Sequence, residues 1–251
     1  MPYSRQEPSA RYRALIEMYR DMHLRGERFH GIPPMKTFDG RSLGKEATMI
    51  KRLIDLTGAR TILDYGSGKG LQYDPKPFAV EGEGEWDSLI DYWGVDEVTC
   101  FDPAFPPYSA LPSGSYDGVV CTDVLEHCPE EDIDWIVREI FSYAERFVYL
   151  AIACFPAAKL LPNGENAHCT VRPPKWWRGI LEAAAASARP GLCFEAWLEC
   201  AEGEVDEDKQ MPDSGDHQCT ESSRRRRQSA VTPATNRARR SRRCSRNRAP
   251  R

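Results

Sequence analysis

The feature that most constrains the fold is a short apolar segment that runs directly into a glycine-rich turn. Residues 61–65 read T-I-L-D-Y, the composition of a buried strand, and residues 66–70 follow as G-S-G-K-G. Glycine permits positive φ values and has no Cβ, so the backbone of such a turn can pass very close to a ligand. Free N–H groups at the start of a following helix favour polar or anionic ligand groups. The segment therefore predicts a strand that ends in a ligand-binding loop.

The spacing of the glycines separates this turn from that of nicotinamide-dependent enzymes. Gly66, Gly68 and Gly70 form the pattern G-x-G-x-G. A dinucleotide-binding turn would instead carry G-x-G-x-x-G. An oxidoreductase with a nicotinamide cofactor is therefore an alternative that the spacing disfavours.

Helical and extended patterns alternate on both sides of the turn. This alternation predicts an α/β fold with a doubly wound, mostly parallel sheet of the Rossmann-like type. Segment 74–87 is rich in Pro, Gly and Glu and is predicted to be an insertion, with a loop at 81–85. The predicted helices are 9–25, 44–56, 129–144 and 174–188, and the predicted strands are 61–65, 98–101, 116–121, 147–154 and 192–200.

Composition divides the chain into three parts. Residues 1–43 are predicted to form an N-terminal helical extension, and residues 44–200 the α/β domain. Residues 201–251 lack apolar periodicity and are predicted to be a disordered tail, acidic at first and then Arg-rich. The formal net charge of −4 hides this asymmetry. Only the tail has the charge to attract nucleic acid, so the domain itself is not an obvious nucleic-acid binder.

The cysteine pattern and the hydropathy favour a reducing compartment. The nine cysteines include no C-x-x-C pair. No apolar run is long enough to span a bilayer, and no secretion signal is visible at the N-terminus. We therefore expect a cytoplasmic protein with mostly reduced thiols and no metal site.

Four chemically informative segments occur in an order that a parallel sheet would bring together. They are the glycine turn, Asp102 after the second strand, residues 121–127 after the third, and residues 163–168 after the fourth. Ligands bind at the carboxyl ends of the strands in open α/β sheets. A carboxylate at Asp102 presents two acceptor oxygens to ribose hydroxyls. Because segment 74–87 lengthens the connection, Asp96 or Glu97 is the alternative ribose ligand.

The motifs at these positions resemble those of class I S-adenosylmethionine (SAM) methyltransferases. Residues 63–70 read L-D-Y-G-S-G-K-G, and residues 123–129 read D-V-L-E-H-C-P. The latter is similar to a segment of many small-molecule methyltransferases. The N-x-H at 166–168 and the Trp pair at 176–177 resemble those of bacterial and phage methyltransferase-domain proteins. The resemblance covers roughly residues 38–200, although the family sheet usually ends in an antiparallel pair and only one final strand is predicted here.

The resemblance implies SAM as the cofactor and assigns residues to it. The implied cofactor-binding residues are Asp64, Tyr65, Gly66, Ser67, Gly68, Gly70, Asp102, Thr122, Asp123 and Val124. His168 and His127 are the catalytic candidates, because a histidine near its ordinary pKa can deprotonate an acceptor hydroxyl or amine. A packing role is the alternative for both histidines.

The sequence therefore predicts a SAM-dependent methyltransferase that acts on an O, N or C nucleophile, with a small molecule as the expected acceptor. Two alternatives stay open. One is a SAM-binding or regulatory protein of the same fold without turnover. The other is a nucleic-acid methyltransferase that uses the basic tail, although the N-P-P-Y type of motif is absent after the strand at 116–121. Nothing in the sequence predicts the oligomeric state.

Overall fold

A computed structural model describes residues 3–201, and a five-stranded sheet lies at the centre of this part of the chain. The strands are β1 (Thr61–Tyr65), β2 (Phe78–Val80), β3 (Gly84–Trp86), β4 (Glu97–Phe101), β5 (Tyr116–Thr122), β6 (Ala144–Ala153) and β7 (Cys193–Glu199). The helices are α1 (Ala10–Arg25), α2 (Ala47–Thr57), α3 (Leu89–Trp93), α4 (Ile133–Tyr143) and α5 (Pro174–Ser187). The predicted tail falls almost wholly outside the described residues.

The order of the central sheet is β4-β1-β5-β6-β7, and every neighbouring pair is parallel. This confirms the predicted α/β class. From β1 the chain crosses to β4 on one side and then returns to β5 on the other side. Strand order thus reverses at β1, and such a reversal opens a crevice at the carboxyl ends of the strands. The glycine turn follows β1 directly and so lies at this crevice.

Helices cover both faces of the sheet, as a doubly wound fold requires. Leu63, Val119 and Val148 point to one face, where they pack with residues of α4 and α5. The alternate residues, such as Ile62 and Val120, point to the other face and pack with α2 and α3. Burial on both faces explains why the strands read as nearly continuous apolar runs.

The segment predicted to be an irregular insertion contains regular structure. Strands β2 and β3 form an antiparallel hairpin, and α3 begins directly after it with Ser88 as N-cap. Trp86 and Phe78 of the hairpin pack on Tyr92 of α3, with ring centroids 4.6 and 5.2 Å apart. The loop prediction at 81–85 was wrong in part, because three-residue strands are too short to show a periodic pattern.

The last strand differs from the arrangement that the resemblance implies. β7 pairs directly with β6 in parallel, from Phe147 opposite Cys193 to Ala153 opposite Glu199. Within residues 3–201 no antiparallel strand joins this sheet. The sheet edge beyond β6 is therefore formed by a parallel strand whose residues reach the same crevice, where Glu199 meets Lys45.

Helix α1 packs across the carboxyl ends of the strands. Ser9 caps it by accepting from the Tyr12 N–H, and the Ser9 N–H donates to Asp132 at 3.0 Å. Arg5 donates to both carboxylate oxygens of Glu139 on α4. Burial of Leu15 and Met22 against the loops at the sheet edge completes the attachment. The helix thus closes the crevice from above.

No helix among residues 3–201 combines the length and the apolar character that crossing a bilayer requires.

We predict that Gly118→Ala destabilises the fold. An added Cβ at Gly118, in the central strand β5, would lie 2.2 Å from the Phe147 ring and 2.9 Å from Ile62. Overpacking of this kind typically costs about 1–3 kcal/mol. The free energy of unfolding in urea should fall by that amount. Gly179→Ala is the control, because its Cβ meets nothing within 4 Å and alanine favours the α5 helix. Equal stability of the two variants would contradict this account of the core.

Candidate functional site

A cavity of about 440 Å³ lies at the carboxyl ends of β1, β4, β5 and β6, beneath α1. Its volume is within the range of small-molecule sites. The predicted site residues that line it are Asp64, Tyr65, Gly66, Ser67, Gly68, Asp102, Thr122, Asp123, Val124, His127 and His168. Gly70 lies at the far end of the turn, where its position faces Cys100 and Tyr108 instead. The sequence motifs thus converge on one place.

The glycine turn is held so tightly that two of its residues have no room for a side chain. Gly66 has φ +87°, and a Cβ there would lie 2.3 Å from a Val124 methyl group. Gly68 has φ +57°, and its Cβ would lie 2.4 Å from the Phe38 carbonyl oxygen. The N–H groups of Gly66 and Ser67 donate to the Phe101 carbonyl at 2.7 and 3.1 Å. Backbone therefore forms this wall of the cavity.

Asp102 follows β4 immediately and fastens the glycine turn to the next loop. One carboxylate oxygen accepts from the Gly68 N–H at 3.0 Å, and the other from the N–H groups of Ala104 and Phe105. The alternatives lie elsewhere. Asp96 pairs with Arg60 at the amino ends of the strands, and Glu97 is the first residue of β4. Of the three acidic residues, Asp102 alone lines the cavity.

Asp64 lies within β1, behind the turn, and its carboxylate orders the segment that follows. It accepts from Gln72 Nε2 at 2.9 Å and from the Tyr73 hydroxyl at 3.0 Å. Burial raises the pKa of Asp64 to about 7, despite these two hydrogen bonds. These hydrogen bonds position residues 71–73 against the turn.

Two residues other than glycine have positive φ among residues 3–201, and both line the cavity. They are Phe38 at φ +51° and Asp123 at φ +56°. Strained backbone of this kind clusters at functional sites. The Asp123 N–H donates to Ala151 on β6 at 2.9 Å, which fixes the residue at the end of β5. Its carboxylate makes no hydrogen bond to any residue that the structure describes, so it is available to a ligand.

Glu126 connects the D-V-L-E-H segment to the end of β6. One of its carboxylate oxygens accepts from the Ala153 N–H at 2.9 Å, and the other has no hydrogen-bond partner within the described part of the chain. The residue is fully buried. Burial therefore raises the pKa of Glu126 to about 8. This glutamate therefore holds the D-V-L-E-H segment against the end of β6, and it does not line the cavity.

His127 is fixed by backbone on the side away from the cavity. Its Nδ1 lies 2.9 Å from the Ala167 carbonyl, so Nδ1 must carry the proton because a carbonyl can only accept. The Tyr19 hydroxyl donates to the same carbonyl at 2.8 Å. Burial, with a smaller effect of His168, lowers the pKa of His127 to about 3. The ring is therefore neutral at physiological pH.

His168 has the same tautomer as His127. Its Nδ1 lies 2.6 Å from the Phe155 carbonyl, which leaves the Nε2 lone pair as the acceptor. Asn166 accepts from the His168 N–H and from the Ala157 N–H, both at 2.9 Å, and so fixes the loop. Burial lowers the pKa of His168. The neutral imidazole is thus the form present near pH 7.

The Tyr65 side chain extends to α4 and to the segment before α1. Its hydroxyl donates to Glu139 at 2.9 Å and accepts from Arg5 at 2.6 Å. Its ring packs edge-on against Phe101. The side chain therefore attaches the segment before α1 to the sheet, and the predicted cofactor contact of Tyr65 stays a prediction.

A buried polar group that the sequence reasoning missed lies behind the turn. The Lys69 ammonium donates to the Thr37 carbonyl at 2.7 Å and to His23 Nδ1 at 3.0 Å. The His23 Nε2 then lies 3.7 Å from the Asp102 carboxylate. Burial lowers the pKa of Lys69. Lys69 is part of the glycine-rich motif, and His23 lies one helical turn after Tyr19 on the buried face of α1. No sequence signal predicted that these two residues are in contact.

Within residues 3–201 no group of three or more His, Cys, Asp or Glu side chains is arranged to hold a metal ion.

Comparison with known proteins gives one partial similarity. The chain is 33% identical over 126 residues to the chloroplastic magnesium protoporphyrin IX methyltransferase of Arabidopsis thaliana. The match covers 44% of this chain and 40% of that protein, so the chain spans about two fifths of the relative's length. No family model matches the chain, and no solved structure matches it. A distant relative is thus a methyltransferase, which supports the general kind of reaction.

We predict that Glu126→Gln flattens the pH dependence of stability. A carboxyl whose pKa is about 8 when folded and near 4.5 when unfolded keeps its proton only in the folded state between these values. Stability should therefore fall as pH rises from about 5 to 8, by at most about 1.4 kcal/mol per pH unit. Urea unfolding of the wild type and the variant at pH 5 and pH 8 measures this difference. The exposed Glu85→Gln should leave the slope unchanged, and a parallel slope for Glu126→Gln would refute the assignment.

Proposed function

We propose that this protein is a SAM-dependent methyltransferase that transfers a methyl group to an O, N or C nucleophile of a small molecule. The observation that carries the proposal is the glycine turn at the point where strand order reverses, with a cavity in front of it. The partial similarity to a methyltransferase supports the same reaction. The G-x-G-x-G spacing favours SAM over a nicotinamide dinucleotide.

The residues present suit an adenosyl ligand with a cationic methionine end. The missing Cβ atoms of Gly66 and Gly68 leave a backbone surface on which a ligand can lie. Asp102 keeps acceptor capacity beyond its three backbone donors, because a carboxylate has about four lone-pair sites. Asp123, with no protein donor on its carboxylate among the described residues, suits the positive charges of the methionine end. Thr122 and Val124 border the same wall.

The methyl transfer requires little of the protein beyond the positioning of the donor and the acceptor. When bound, SAM supplies a methyl group that is already activated on a sulfonium sulfur. The chain would hold the acceptor in line with that methyl and exclude water, and α1 forms the cover that such exclusion needs. His168 is the residue placed to accept a proton from an acceptor hydroxyl or amine, at Nε2. His127, whose Nδ1 proton is engaged by Ala167, would position the loop that carries His168.

Isothermal titration calorimetry of the full chain with SAM, S-adenosylhomocysteine and NADH tests the proposal. We expect micromolar binding of both adenosyl ligands and no binding of NADH. Gly66→Ala should weaken adenosyl binding at least about tenfold, because the new Cβ meets Val124 within the wall.

Gly82→Ala is a matched control for this variant. Gly82 also has positive φ, at +80°, but its Cβ meets nothing within 4 Å. Both variants thus carry the same kind of backbone strain, but only Gly66→Ala disturbs the glycine turn that follows β1. Thermal unfolding of each variant separates lost binding from lost folding. A folded wild-type protein that binds neither adenosyl ligand would overturn the proposal, and binding of NADH alone would replace it with the oxidoreductase alternative.

We further predict that Asp123→Asn weakens SAM binding by about tenfold while the fold is kept. Asparagine tolerates positive φ at least as well as aspartate, so the substitution removes the charge and leaves the backbone. The affinity for SAM should fall more than that for S-adenosylhomocysteine, which lacks the sulfonium charge. Asp96→Asn, at the opposite edge of the sheet, is the control. Equal loss of both ligands would place Asp123 away from the sulfonium.

A further inference from the structure

One part of the cavity lining consists of side chains of α1 and of two phenylalanines. Leu15, Ile16 and Tyr19 of α1 form one side, and Phe38 and Phe155 form another. Apolar and aromatic side chains thus dominate here. Under the proposed function, this part of the cavity is where the methyl acceptor lies.

Lys159 brings a positive charge into this apolar surface. Its ammonium lies 5.5 Å from the centre of the Phe38 ring, and the side chain lines the cavity while half-buried. It has no carboxylate within ion-pair distance among residues 3–201. Lys45, which also lines the cavity, pairs with Glu199, and the Lys69 ammonium is occupied by hydrogen bonds to His23 and Thr37. A half-buried ammonium without a carboxylate partner favours the binding of an anion.

The loop that carries Lys159 also carries His168, and it is firmly held. The Lys159 carbonyl accepts from the Ala167 N–H at 3.1 Å. Asn166 bridges to both backbone groups of Ala157, with three hydrogen bonds of 2.9 Å counting the one from His168. The backbone positions of Lys159 and His168 are thus set by the loop itself. An anion at Lys159 would be bound by the same loop that carries His168.

Lys159 and Asp123 both act electrostatically on histidines of this surface. Burial is the main cause that lowers the pKa of His127 and of His168, and the positive charge of Lys159 acts in the same direction. Asp123 acts on His168 in the opposite direction. A cationic acceptor would meet the Lys159 charge and be repelled. A dianion would meet Asp123 and two neutral rings, and would cost more to desolvate than a single negative charge.

We propose that Lys159 binds a carboxylate of the methyl acceptor, whose apolar or aromatic body lies between Phe38, Tyr19 and Phe155. This inference rests on the proposed function, because it uses the division of the cavity between cofactor and acceptor. The interaction is one of recognition: the ammonium donates to the carboxylate, and no bond is made or broken at Lys159. It identifies the acceptor class as small apolar carboxylates.

Calorimetry of the full chain saturated with S-adenosylhomocysteine tests the inference with two matched pairs of probes. The pairs are 3-phenylpropionate with its primary amide, and 2-naphthoate with its primary amide. We expect at least one carboxylate to bind about tenfold more tightly than its amide, because a charge-assisted hydrogen bond is replaced by a neutral one. The preference should decrease as salt is raised.

Three variants locate the charge. Lys159→Met keeps an unbranched side chain on Phe38 and should abolish the preference for the carboxylate, while Lys159→Arg should retain it. Lys36→Met, at the exposed rim of the same cavity, should change it less than about threefold. Unchanged affinity for S-adenosylhomocysteine shows that each variant is folded and that its cofactor part is intact.

The outcomes separate this inference from the proposed function. Equal affinity for acid and amide, a preference that persists in Lys159→Met, or no carboxylate binding in protein that holds S-adenosylhomocysteine would each overturn the acceptor assignment alone. Failure of the wild type to bind S-adenosylhomocysteine would overturn the proposed function, and the acceptor assignment with it.

Discussion

The fixed position of the glycine turn is the constraint on which the rest of the site depends. Its N–H groups reach back to Phe101 and to the Asp102 carboxylate, so β1 and β4 are joined just beyond the sheet. Val124 and Phe38 approach where side chains of the turn would otherwise stand. The positions of the other cavity walls therefore depend on the position of the glycine turn. A turn with larger residues would push apart the end of β5 and the loop before α2.

The same packing explains why parts of the site were predictable from sequence and parts were not. Gly66, Asp102 and Asp123 each follow a strand directly, and parallel strands bring their carboxyl ends together whatever the loops do. Phe38, Tyr19 and Lys159 come from a loop, from α1 and from a long connection. Their places depend on how these segments pack over the sheet, and local sequence pattern does not contain that information.

The fold shows the same division. Strands β5 and β6 are long and buried on both faces, so their apolar runs identified them within a few residues. The β2–β3 hairpin was missed because each of its strands has only three residues. The hairpin is held by aromatic contacts with α3, which no local sequence pattern predicts. Tyr65 illustrates the limit for sites. Its position in the motif was identified, but the direction of its side chain is decided by Arg5 and Glu139, both distant in sequence.

Under the proposed function, the charges of the cavity suit two different ligands. Near the glycine turn the free charge is negative, at Asp123, while the Asp102 carboxylate is engaged by backbone donors. Beside the Phe38 ring it is positive, at Lys159, and burial keeps the two histidines of the cavity neutral. A neutral imidazole can accept a proton without first losing one. If both charges were of one sign, a cationic methyl donor and an anionic acceptor would not be stabilised side by side.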